Sequence, residues 1–438
     1  MCPKALLDLS GPPRARLSCF VPPIVYCVDM TDSAHSPAIG HAARRVAGTG
    51  ETIFATITAL SVQFDAANLG QGFPDEDGPA EMLAKAAEQI IGGEGVATNN
   101  QYAPGRGQLE LRKAIAEDRA RRYGQEFDPA TEILVTVGAT EALAASVLGL
   151  VEYGTEVVTL EPTYDAYPAI TDLAEANLKP VRLRKDEEHG WVLDREAFRE
   201  AVTPATSAII LNSPHNPTGA VLGRDDLSFI AEVVAESDAI VITDEVYERL
   251  VFEGEHLPFG TLPGMRERTV TISSASKTFN VTGWKTGWVC APARLLTPII
   301  AAKQFLSYVG ATPFQTPVAW ALEHADDWSE RWRSTLAERR DMLGQGLNEM
   351  GFEVLPSQGT YFLITDIAPL VDRGVSIGEN AAEFCQRLPE TVGVSAIPVS
   401  AFVSNPEDPA VTTLVRWTFC KEPATLQRAL ERLRTHFG

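Results

Sequence analysis

The sequence predicts an α/β protein, with a mainly parallel seven-stranded sheet in a large domain and a smaller α+β domain after it. Two observations support this fold class. Short apolar runs alternate with helix-length segments from about residue 81, and after about Trp320 the pattern changes to a long charged helix followed by further strands. The 438 residues also exceed the roughly 250 to 300 at which a single core stops growing, so we expect two domains.

The seven predicted strands are short apolar runs, most of them separated by helix-length segments. They are Ile133–Val137, Glu156–Leu160, Pro180–Leu183, Ser207–Asn212, Ala239–Thr243, Thr269–Ser273 and Thr286–Cys290. Parallel strands that are covered by helices on both faces read as continuous apolar runs. In such sheets ligands bind beyond the carboxyl ends of the strands, so the residues that follow each run are the candidates for chemistry.

The smaller domain is predicted from one long helix, three strands and a terminal helix. These are Trp328–Met350, Phe352–Leu355, Thr360–Thr365, Thr412–Phe419 and a helix from Ala424. The predicted division of the chain is an extension at 1–49, a segment of the small domain at the rim of the active site at 50–75, the large cofactor-binding domain at 76–319 and the small domain at 320–438.

The net charge and the cysteine content argue against several classes of binding partner. The formal net charge is -21, and an acidic surface repels both nucleic acid and anionic membranes. The six cysteines include no C-x-x-C pair, which indicates reduced thiols and argues against a metal site. The apolar stretch Cys19–Val28 is short and contains Pro22 and Pro23, so it is neither a clear signal segment nor a membrane span. We expect a cytoplasmic protein.

Lys277 is the candidate nucleophile. It lies in Ser273–Phe279, directly after a predicted buried strand. Desolvation lowers the pKa of a lysine in such a position, and the neutral amine condenses with an aldehyde. A solvated loop lysine is the alternative interpretation, and the residue alone does not decide between the two.

Two other strand ends carry polar groups suited to an aromatic ring. Asp244 directly follows the apolar run 239–243. A buried carboxylate in that position can keep a pyridine nitrogen protonated, and Tyr247 can donate a hydrogen bond to a ring hydroxyl. Asn216, in Leu211–Gly219, can bond the same hydroxyl. Capping of a following helix by Asp244, and an ordinary turn around Asn216, are the alternatives. His215 is expected to be structural.

A possible anion site lies at Gly138, Ala139 and Thr140, where a strand passes through small residues into a helix. Backbone N–H groups at a helix start bind anions such as phosphate. Simple capping by Thr140 explains the same residues, so this signal is weak alone.

Taken together, four motifs resemble the class I/II aminotransferases of fold type I, which are pyridoxal-phosphate enzymes. The motifs are N-P-x-G from Asn216, D-E-x-Y from Asp244, S-x-S-K ending at Lys277 and V-R-W around Arg416. The similarity runs in order from Asn68 to about Lys421.

This resemblance implies roles at the matching positions. Lys277 forms the Schiff base with the cofactor and moves the proton, and Asp244 pairs with the pyridine nitrogen. The ring oxygen is bound by Tyr247 and Asn216, and Tyr164 stacks on the ring. The phosphate is bound by Ala139, Thr140, Ser274 and Lys285, with Tyr102 from a neighbouring subunit, so a homodimer is implied. Arg416 binds the substrate α-carboxylate, with Asn212 and Gly70 beside it.

Within the family, the segment from Asn68 to Asp75 is similar to the kynurenine and glutamine transaminases. The nearest resemblance is to actinobacterial N-succinyldiaminopimelate aminotransferases, with which the segment Ser307–Gly310 agrees. It implies transfer between L-glutamate/2-oxoglutarate and N-succinyl-2-amino-6-oxopimelate, in lysine biosynthesis. Kynurenine enzymes carry an aromatic residue and a histidine near Gly310 and Ala311, which disfavours aromatic substrates here.

Four alternatives stay open at this point. A kynurenine, glutamine or methionine transaminase, and a cysteine-S-conjugate β-lyase, use the same cofactor. A transcriptional regulator of this fold needs a DNA-binding domain, for which the N-terminal arm offers no pattern. A serine hydrolase would use Ser376 in Gly374–Gly378, a G-x-S-x-G motif that requires a preceding strand.

Overall fold

The computed structural model describes residues 42–47, 53–186 and 190–438. The predicted extension at 1–49 therefore lies outside the described residues except for 42–47. The stretch Cys19–Val28 also lies outside the described residues.

Helices and strands alternate along most of the described chain. The helices are α1 Arg44–Ala47, α2 Ile53–Gln63, α3 Ala80–Ile91, α4 Leu109–Tyr123, α5 Gly138–Leu150, α6 Ala166–Leu173, α7 Arg195–Ala201, α8 Arg224–Ala235, α9 Ala275–Thr278, α10 Ala293–Leu306, α11 Thr312–His324, α12 Asp326–Glu349, α13 Ala368–Asp372, α14 Ala381–Thr391 and α15 Pro423–Phe437. The strands are β1 Ala67–Asn68, β2 Ile133–Val137, β3 Glu156–Glu161, β4 Asn177–Asp186, β5 Gly190–Leu193, β6 Thr206–Asn212, β7 Ile240–Asp244, β8 Thr269–Ser274, β9 Thr286–Cys290, β10 Glu353–Val354, β11 Phe362–Asp366, β12 Val394–Ser395, β13 Ile397–Pro398 and β14 Leu414–Thr418.

An eight-stranded sheet with the order β2-β9-β8-β7-β6-β3-β4-β5 forms the large part of the fold. The pairs from β8 through β7, β6 and β3 to β4 are parallel, and the remaining pairs are antiparallel. All seven predicted strands are present. The predicted number was wrong by one, because the four-residue strand β5, which pairs antiparallel with β4, was not predicted.

The apolar strand runs follow from burial on both faces of this sheet. On β6, Ile209 packs with one core cluster, which includes Phe198 of α7 and Ile230 of α8. The next residue, Ile210, packs with the opposite cluster, which includes residues of α5 and α10 such as Leu296. Burial of each such side chain contributes about 1.5–3 kcal/mol. The two helical layers therefore fix the sheet, and with it the positions of the strand ends.

A second, four-stranded antiparallel sheet with the order β10-β11-β14-β13 follows near the C-terminus. It packs with α12, α14 and α15 in one apolar cluster. Strand β1 pairs in parallel with β12, which brings residues 67–68 to this part of the fold. The elements predicted after residue 320 are all present, with ends shifted by one or two residues.

Residues 44–438 form one compact unit, and the domain boundaries at 75 and 319 stay predictions. Within the described ranges, no helix has both the length and the apolar character needed to cross a membrane.

Candidate active site

A cavity of about 290 Å³ lies beyond the carboxyl ends of β6, β7 and β8, and β14 contributes Arg416 to its wall. Twelve of the predicted site residues line it. They are Gly138, Ala139, Thr140, Tyr164, Asn212, Asn216, Asp244, Tyr247, Ser274, Lys277, Lys285 and Arg416. Strands separated by long stretches of sequence thus bring the four motifs into one site.

Lys277 lies in the short helix α9, directly after the fully buried strand β8. Its Nζ is 3.5 Å from the carbonyl oxygen of Gly72 and 5.4 Å from the ring centre of Tyr361. Burial lowers the pKa of Lys277 to about 8, and the charge of nearby Lys285 acts in the same direction. The neutral amine is therefore far more abundant near neutral pH than for an ordinary lysine, as a nucleophilic lysine requires.

Asp244 ends β7 with only 4% of its surface exposed. Its Oδ2 accepts a hydrogen bond of 2.9 Å from the Tyr167 hydroxyl. Burial raises the pKa of Asp244 to about 6, while the bond from Tyr167 lowers it. A turn rather than a helix follows β7, so the helix-cap interpretation of Asp244 is wrong. A cationic ring nitrogen in the cavity would stabilise the carboxylate form.

The strand ends are connected to one another by the two predicted asparagines. Asn212 Nδ2 donates to the Asp244 carbonyl oxygen at 2.8 Å, and its Oδ1 accepts from the Asn216 amide at 2.7 Å. Asn216 Oδ1 accepts from Arg416 Nη1 at 3.1 Å. Tyr247 is also buried, with its ring edge-on to Tyr361 at 5.2 Å. Burial raises the pKa of its hydroxyl, which therefore stays protonated as a donor.

Arg416 is a buried cation, 2% exposed, at the centre of β14. Its Nη2 donates to the Gly70 carbonyl oxygen at 2.8 Å, and its guanidinium lies 4.1 Å from the ring centre of Phe362 and 4.8 Å from that of Phe402. Burial lowers its pKa to about 10, so it stays charged at neutral pH. Arg416 forms no surface salt bridge, since the residue is buried and pairs with no carboxylate of the described chain.

The Nε of Arg416 has no hydrogen-bond partner in the described chain. A buried donor without a partner is costly, and more so when it is charged. Planar guanidinium groups bind carboxylates with two parallel bonds. The geometry and charge of Arg416 therefore suit a carboxylate that enters the cavity.

An anion cradle lies where β2 enters α5. Gly138 adopts φ +71°, and a Cβ built on it would lie 3.3 Å from Lys285 Nζ. A Cβ on Gly287 of β9 would lie 2.5 Å from the Gly138 carbonyl carbon, so the two backbones approach as closely as glycine allows. The first N–H groups of α5 and the Lys285 ammonium thus offer a site that fits a phosphate.

Two predicted residues lie apart from the cavity lining. Gly70 contributes its carbonyl oxygen to Arg416. Tyr102 is 82% exposed, and its ring is 5.6 Å from that of Tyr308 at the surface. Its contribution to a neighbouring subunit stays a prediction.

The sequence analysis missed several residues at the site. Tyr167 lies three residues after Tyr164 at the start of α6, a spacing that could have indicated a shared helix face. Asp165 lines the cavity beside Tyr164. Phe54 and Phe362 line it near Arg416, and as ordinary apolar residues they gave no signal.

Two carboxyl groups and a histidine form a separate cluster that begins with Glu245, the residue after Asp244. Possible ligand atoms of Glu245, Glu248 and His256 are within 4.8 Å of one another. Arg119 is buried against both carboxylates, at 2.8 Å from Glu245 and 2.5 Å from Glu248. Its guanidinium holds the pKa of Glu245 at about 2, with His256 adding to the effect. The positive charge that these carboxylates require is supplied by Arg119.

Ser376 does not form a nucleophile elbow. It follows the helix α13 and not a strand, and its hydroxyl donates to the Gly378 carbonyl oxygen at 2.6 Å. The serine-hydrolase alternative therefore lacks the geometry that it requires.

Comparison with known proteins identifies the family. A family model described as aminotransferase class I and II matches residues 65–433. The chain belongs to this family. These aminotransferases use pyridoxal phosphate as their cofactor.

The chain is 52% identical over 393 residues to a probable N-succinyldiaminopimelate aminotransferase of Mycobacterium tuberculosis, covering 87% of this chain and 95% of that protein. The solved structure of the N-succinyldiaminopimelate aminotransferase from that organism matches with a TM-score of 0.85, over 90% of this chain and 99% of that one. A methionine aminotransferase of Escherichia coli is 38% identical over 386 residues, covering 88% and 96% of the two chains. A kynurenine–oxoglutarate transaminase of Dictyostelium discoideum is 34% identical over 420 residues, covering 89% and 95%. The aminotransferase therefore has the fold type I architecture that the resemblance implied.

Proposed function

We propose that this aminotransferase binds pyridoxal phosphate at Lys277 and transfers an amino group between L-glutamate/2-oxoglutarate and an oxo acid, N-succinyl-2-amino-6-oxopimelate. One observation carries the proposal. A single cavity contains an amine of lowered pKa, a carboxyl group of raised pKa, an anion cradle and a buried arginine without a carboxylate partner.

The lining residues fit each part of the cofactor. The α5 cradle with Ser274 and Lys285 would bind the phosphate, and Asp244 would pair with the ring nitrogen. Tyr247 and Asn216 would bond the ring oxygen, and Tyr164 would contact the ring face. When bound, the cofactor supplies an aldehyde and an electron-accepting ring.

Each of the following residues has a separate role in the proposed reaction. Lys277 Nζ, neutral in part because it is buried, would hold the cofactor at its aldehyde carbon, with loss of water, and would carry the proton at the substrate α-carbon. Arg416 orients the α-carboxylate, and the bonds from Arg416 to Gly70 and Asn216 fix its guanidinium. Tyr167 keeps the Asp244 carboxylate in place.

The choice of acceptor rests on similarity. The relative at 52% identity is named for N-succinyldiaminopimelate, whereas those named for methionine and kynurenine are 38% and 34% identical. β-Elimination from cysteine conjugates is the second candidate, because it needs the same cofactor and the same lysine. Glycine and alanine at 310 and 311, which replace bulkier residues of the kynurenine enzymes, support the first choice.

The test is a panel of half-reactions with the purified, cofactor-loaded protein. Glutamate, N-succinyldiaminopimelate, kynurenine, methionine and a cysteine conjugate are mixed with it separately, and the visible absorbance of the cofactor is followed. We expect glutamate and N-succinyldiaminopimelate to react fastest. Preference for kynurenine would overturn the proposed acceptor, and pyruvate release would indicate elimination.

Two variants test the assigned residues directly. Lys277→Ala should abolish turnover and the visible absorbance of the lysine-bound cofactor. Arg416→Gln should weaken amino-acid binding by about 2–5 kcal/mol, because the substrate carboxylate loses a charged partner. Retained absorbance in the first variant, or unchanged apparent affinity in the second, contradicts the assignment.

We further propose a cytoplasmic homodimer in which Tyr102 reaches the phosphate site of the other subunit. The exposure of Tyr102 at 82% and of Phe305 at 86% supports a contact with a second copy, since large exposed apolar side chains favour association. The buried free thiols of Cys290, Cys385 and Cys420 are compatible with a reducing compartment. Sedimentation at micromolar concentration tests the dimer, and a monomer would exclude it.

A further inference from the structure

The carbonyl oxygen of Gly72 accepts two hydrogen bonds at the wall of the active-site cavity. One comes from the Tyr361 hydroxyl at 2.5 Å, and a longer one comes from Lys277 Nζ at 3.5 Å. Within the described chain, no other acceptor is hydrogen-bonded to Nζ. The free amine of Lys277 is thus held by one backbone atom, and that atom is bonded to Tyr361.

The direction of the Gly72 carbonyl is not set by regular structure, because the chain forms neither helix nor strand between β1 and α3. Glycine also restricts its own backbone least. A Cβ on Gly72 would lie 2.6 Å from Phe362 Cε1 and 2.9 Å from Tyr361 Cε2, so the backbone rests directly on these two rings. The Tyr361 hydroxyl therefore fixes a carbonyl group that the local structure leaves free to turn.

Tyr361 is a rigid hydrogen-bond donor behind the cavity wall. It is fully buried and is not among the residues that line the cavity. Its own carbonyl oxygen accepts bonds from the Phe419 amide at 3.0 Å and from Thr418 Oγ1 at 3.1 Å, which attach it to the end of β14. Burial raises the pKa of its hydroxyl, which stays protonated at neutral pH. Its ring centre is 5.4 Å from Lys277 Nζ.

We propose that Tyr361 is a positioning residue for Lys277: it anchors the Gly72 carbonyl, which holds the amine in the cavity after a substrate has displaced it from the cofactor. The inference rests on the proposed function, in which Lys277 first holds the cofactor. An incoming ammonium forms its bond to the aldehyde carbon as the bond to Nζ breaks, and two of its hydrogens pass to Nζ. The displaced amine is then neutral, and it has to stay near the substrate to carry the α-proton.

This anchor should matter only after displacement, because Nζ needs no separate acceptor while it is bonded to the aldehyde carbon. Two ligands distinguish the two states. Glutarate has no amino group, so it can occupy the carboxylate site at Arg416 without displacing Lys277. α-Methylglutamate has an amino group that displaces Lys277, but it has no α-hydrogen to lose, so the reaction stops at that point.

The test compares Tyr361→Phe with the wild type, since phenylalanine keeps the ring and removes only the hydroxyl. The dissociation constant of each ligand is measured with the cofactor-loaded proteins, by visible absorbance for α-methylglutamate and by calorimetry for glutarate. We expect α-methylglutamate to bind about three- to tenfold more weakly to the variant, as the loss of one hydrogen bond implies, and glutarate to bind equally well. Tyr123→Phe is the matched control, because Tyr123 is a half-buried tyrosine at the end of α4 outside the cavity, and it should change neither constant.

Equal changes for the two ligands, or no change for either, overturn the inference, because a general loss of structure would not spare glutarate. If the variant does not fold, a structure of the wild type with α-methylglutamate decides. Nζ should then lie within hydrogen-bond distance of the Gly72 carbonyl oxygen, and any other position overturns the inference. Failure of the wild type to bind glutarate, or to change its absorbance with α-methylglutamate, refutes instead the roles of Arg416 and Lys277, and thus the proposed function.

Discussion

Replacing Asp244 with asparagine should have opposite effects on the empty and the cofactor-loaded protein. The carboxyl group is 4% exposed and accepts a hydrogen bond from Tyr167 at 2.9 Å. Asparagine has nearly the same shape and can accept the same bond, but it cannot ionise. The substitution therefore removes the charge with little change in packing.

The magnitude follows from the pKa of Asp244, which burial raises from 3.8 to about 6. A shift of about two units corresponds to about 3 kcal/mol, at 1.36 kcal/mol per unit. Between these two values the folded protein binds the proton more tightly than the unfolded chain does. The stability that this group contributes below pH 4 is thus lost as the pH rises through 6. Above pH 7 the empty Asp244→Asn variant should be more stable than the wild type by up to about 3 kcal/mol.

With the cofactor bound, the sign should reverse. The ring nitrogen would then lose its anionic partner, and removal of one member of a buried ion pair costs about 3–5 kcal/mol. Cofactor affinity should therefore fall by well over a hundredfold, since a loss of about 3 kcal/mol would only cancel the gain in the empty variant.

The assay is urea unfolding of the wild type and the variant, each with and without cofactor, at several pH values between 4 and 8. The difference between the two empty proteins should be near zero at pH 4 and reach its plateau above pH 7. A difference that does not change with pH would show that Asp244 is not the group that titrates. An unaltered cofactor affinity would refute its pairing with the ring nitrogen.

Two further substitutions test the support of the cofactor site. Tyr167→Phe should weaken cofactor binding about tenfold, since a hydrogen bond to a charged acceptor contributes about 1.5–3 kcal/mol and its loss raises the pKa of the carboxyl group. Dialysis release rates check this, with the exposed Tyr153→Phe as control, and equal release rates in the two variants contradict it. Gly287→Ala should lower affinity for both cofactor and free phosphate by at least about tenfold, because its Cβ would lie 2.5 Å from the Gly138 carbonyl carbon and displace the cradle. Gly223→Ala, whose Cβ meets no heavy atom within 4 Å, is the control, and wild-type phosphate affinity in Gly287→Ala would show that the close approach is not needed.

The ends of the strands were predictable because burial on both faces of the sheet makes each strand a continuous apolar run in the sequence. The run before Asp244 is apolar at consecutive positions, since neighbouring residues such as Val241 and Ile242 enter different core clusters. The end of such a run identifies the edge of the sheet at which polar groups converge. Strand β5 was missed because it has only four residues and begins only four positions after the last residue of β4, whereas helix-length segments separate most of the predicted strands.

The spatial arrangement of the motifs could not be derived from their spacing in the sequence. The bond from Arg416 to the Gly70 carbonyl oxygen joins positions 346 residues apart, and its acceptor is a backbone atom that no residue type reveals. Resemblance to a family supplied the role of Arg416, but not the aromatic rings that enclose it. Asp165 was missed for a related reason, since only the folded chain places it in the cavity wall.

The enclosure of Arg416 explains how one cation can serve many substrates. Its pKa, lowered to about 10 by burial, and the absence of a described partner for its Nε mean that the free site contains an incompletely solvated charge. Any α-carboxylate relieves that cost equally, so this interaction gives affinity without discriminating among amino acids. Discrimination must then come from groups that contact the side chain. The cavity lining offers Phe54, Phe362 and Asp165 for that purpose.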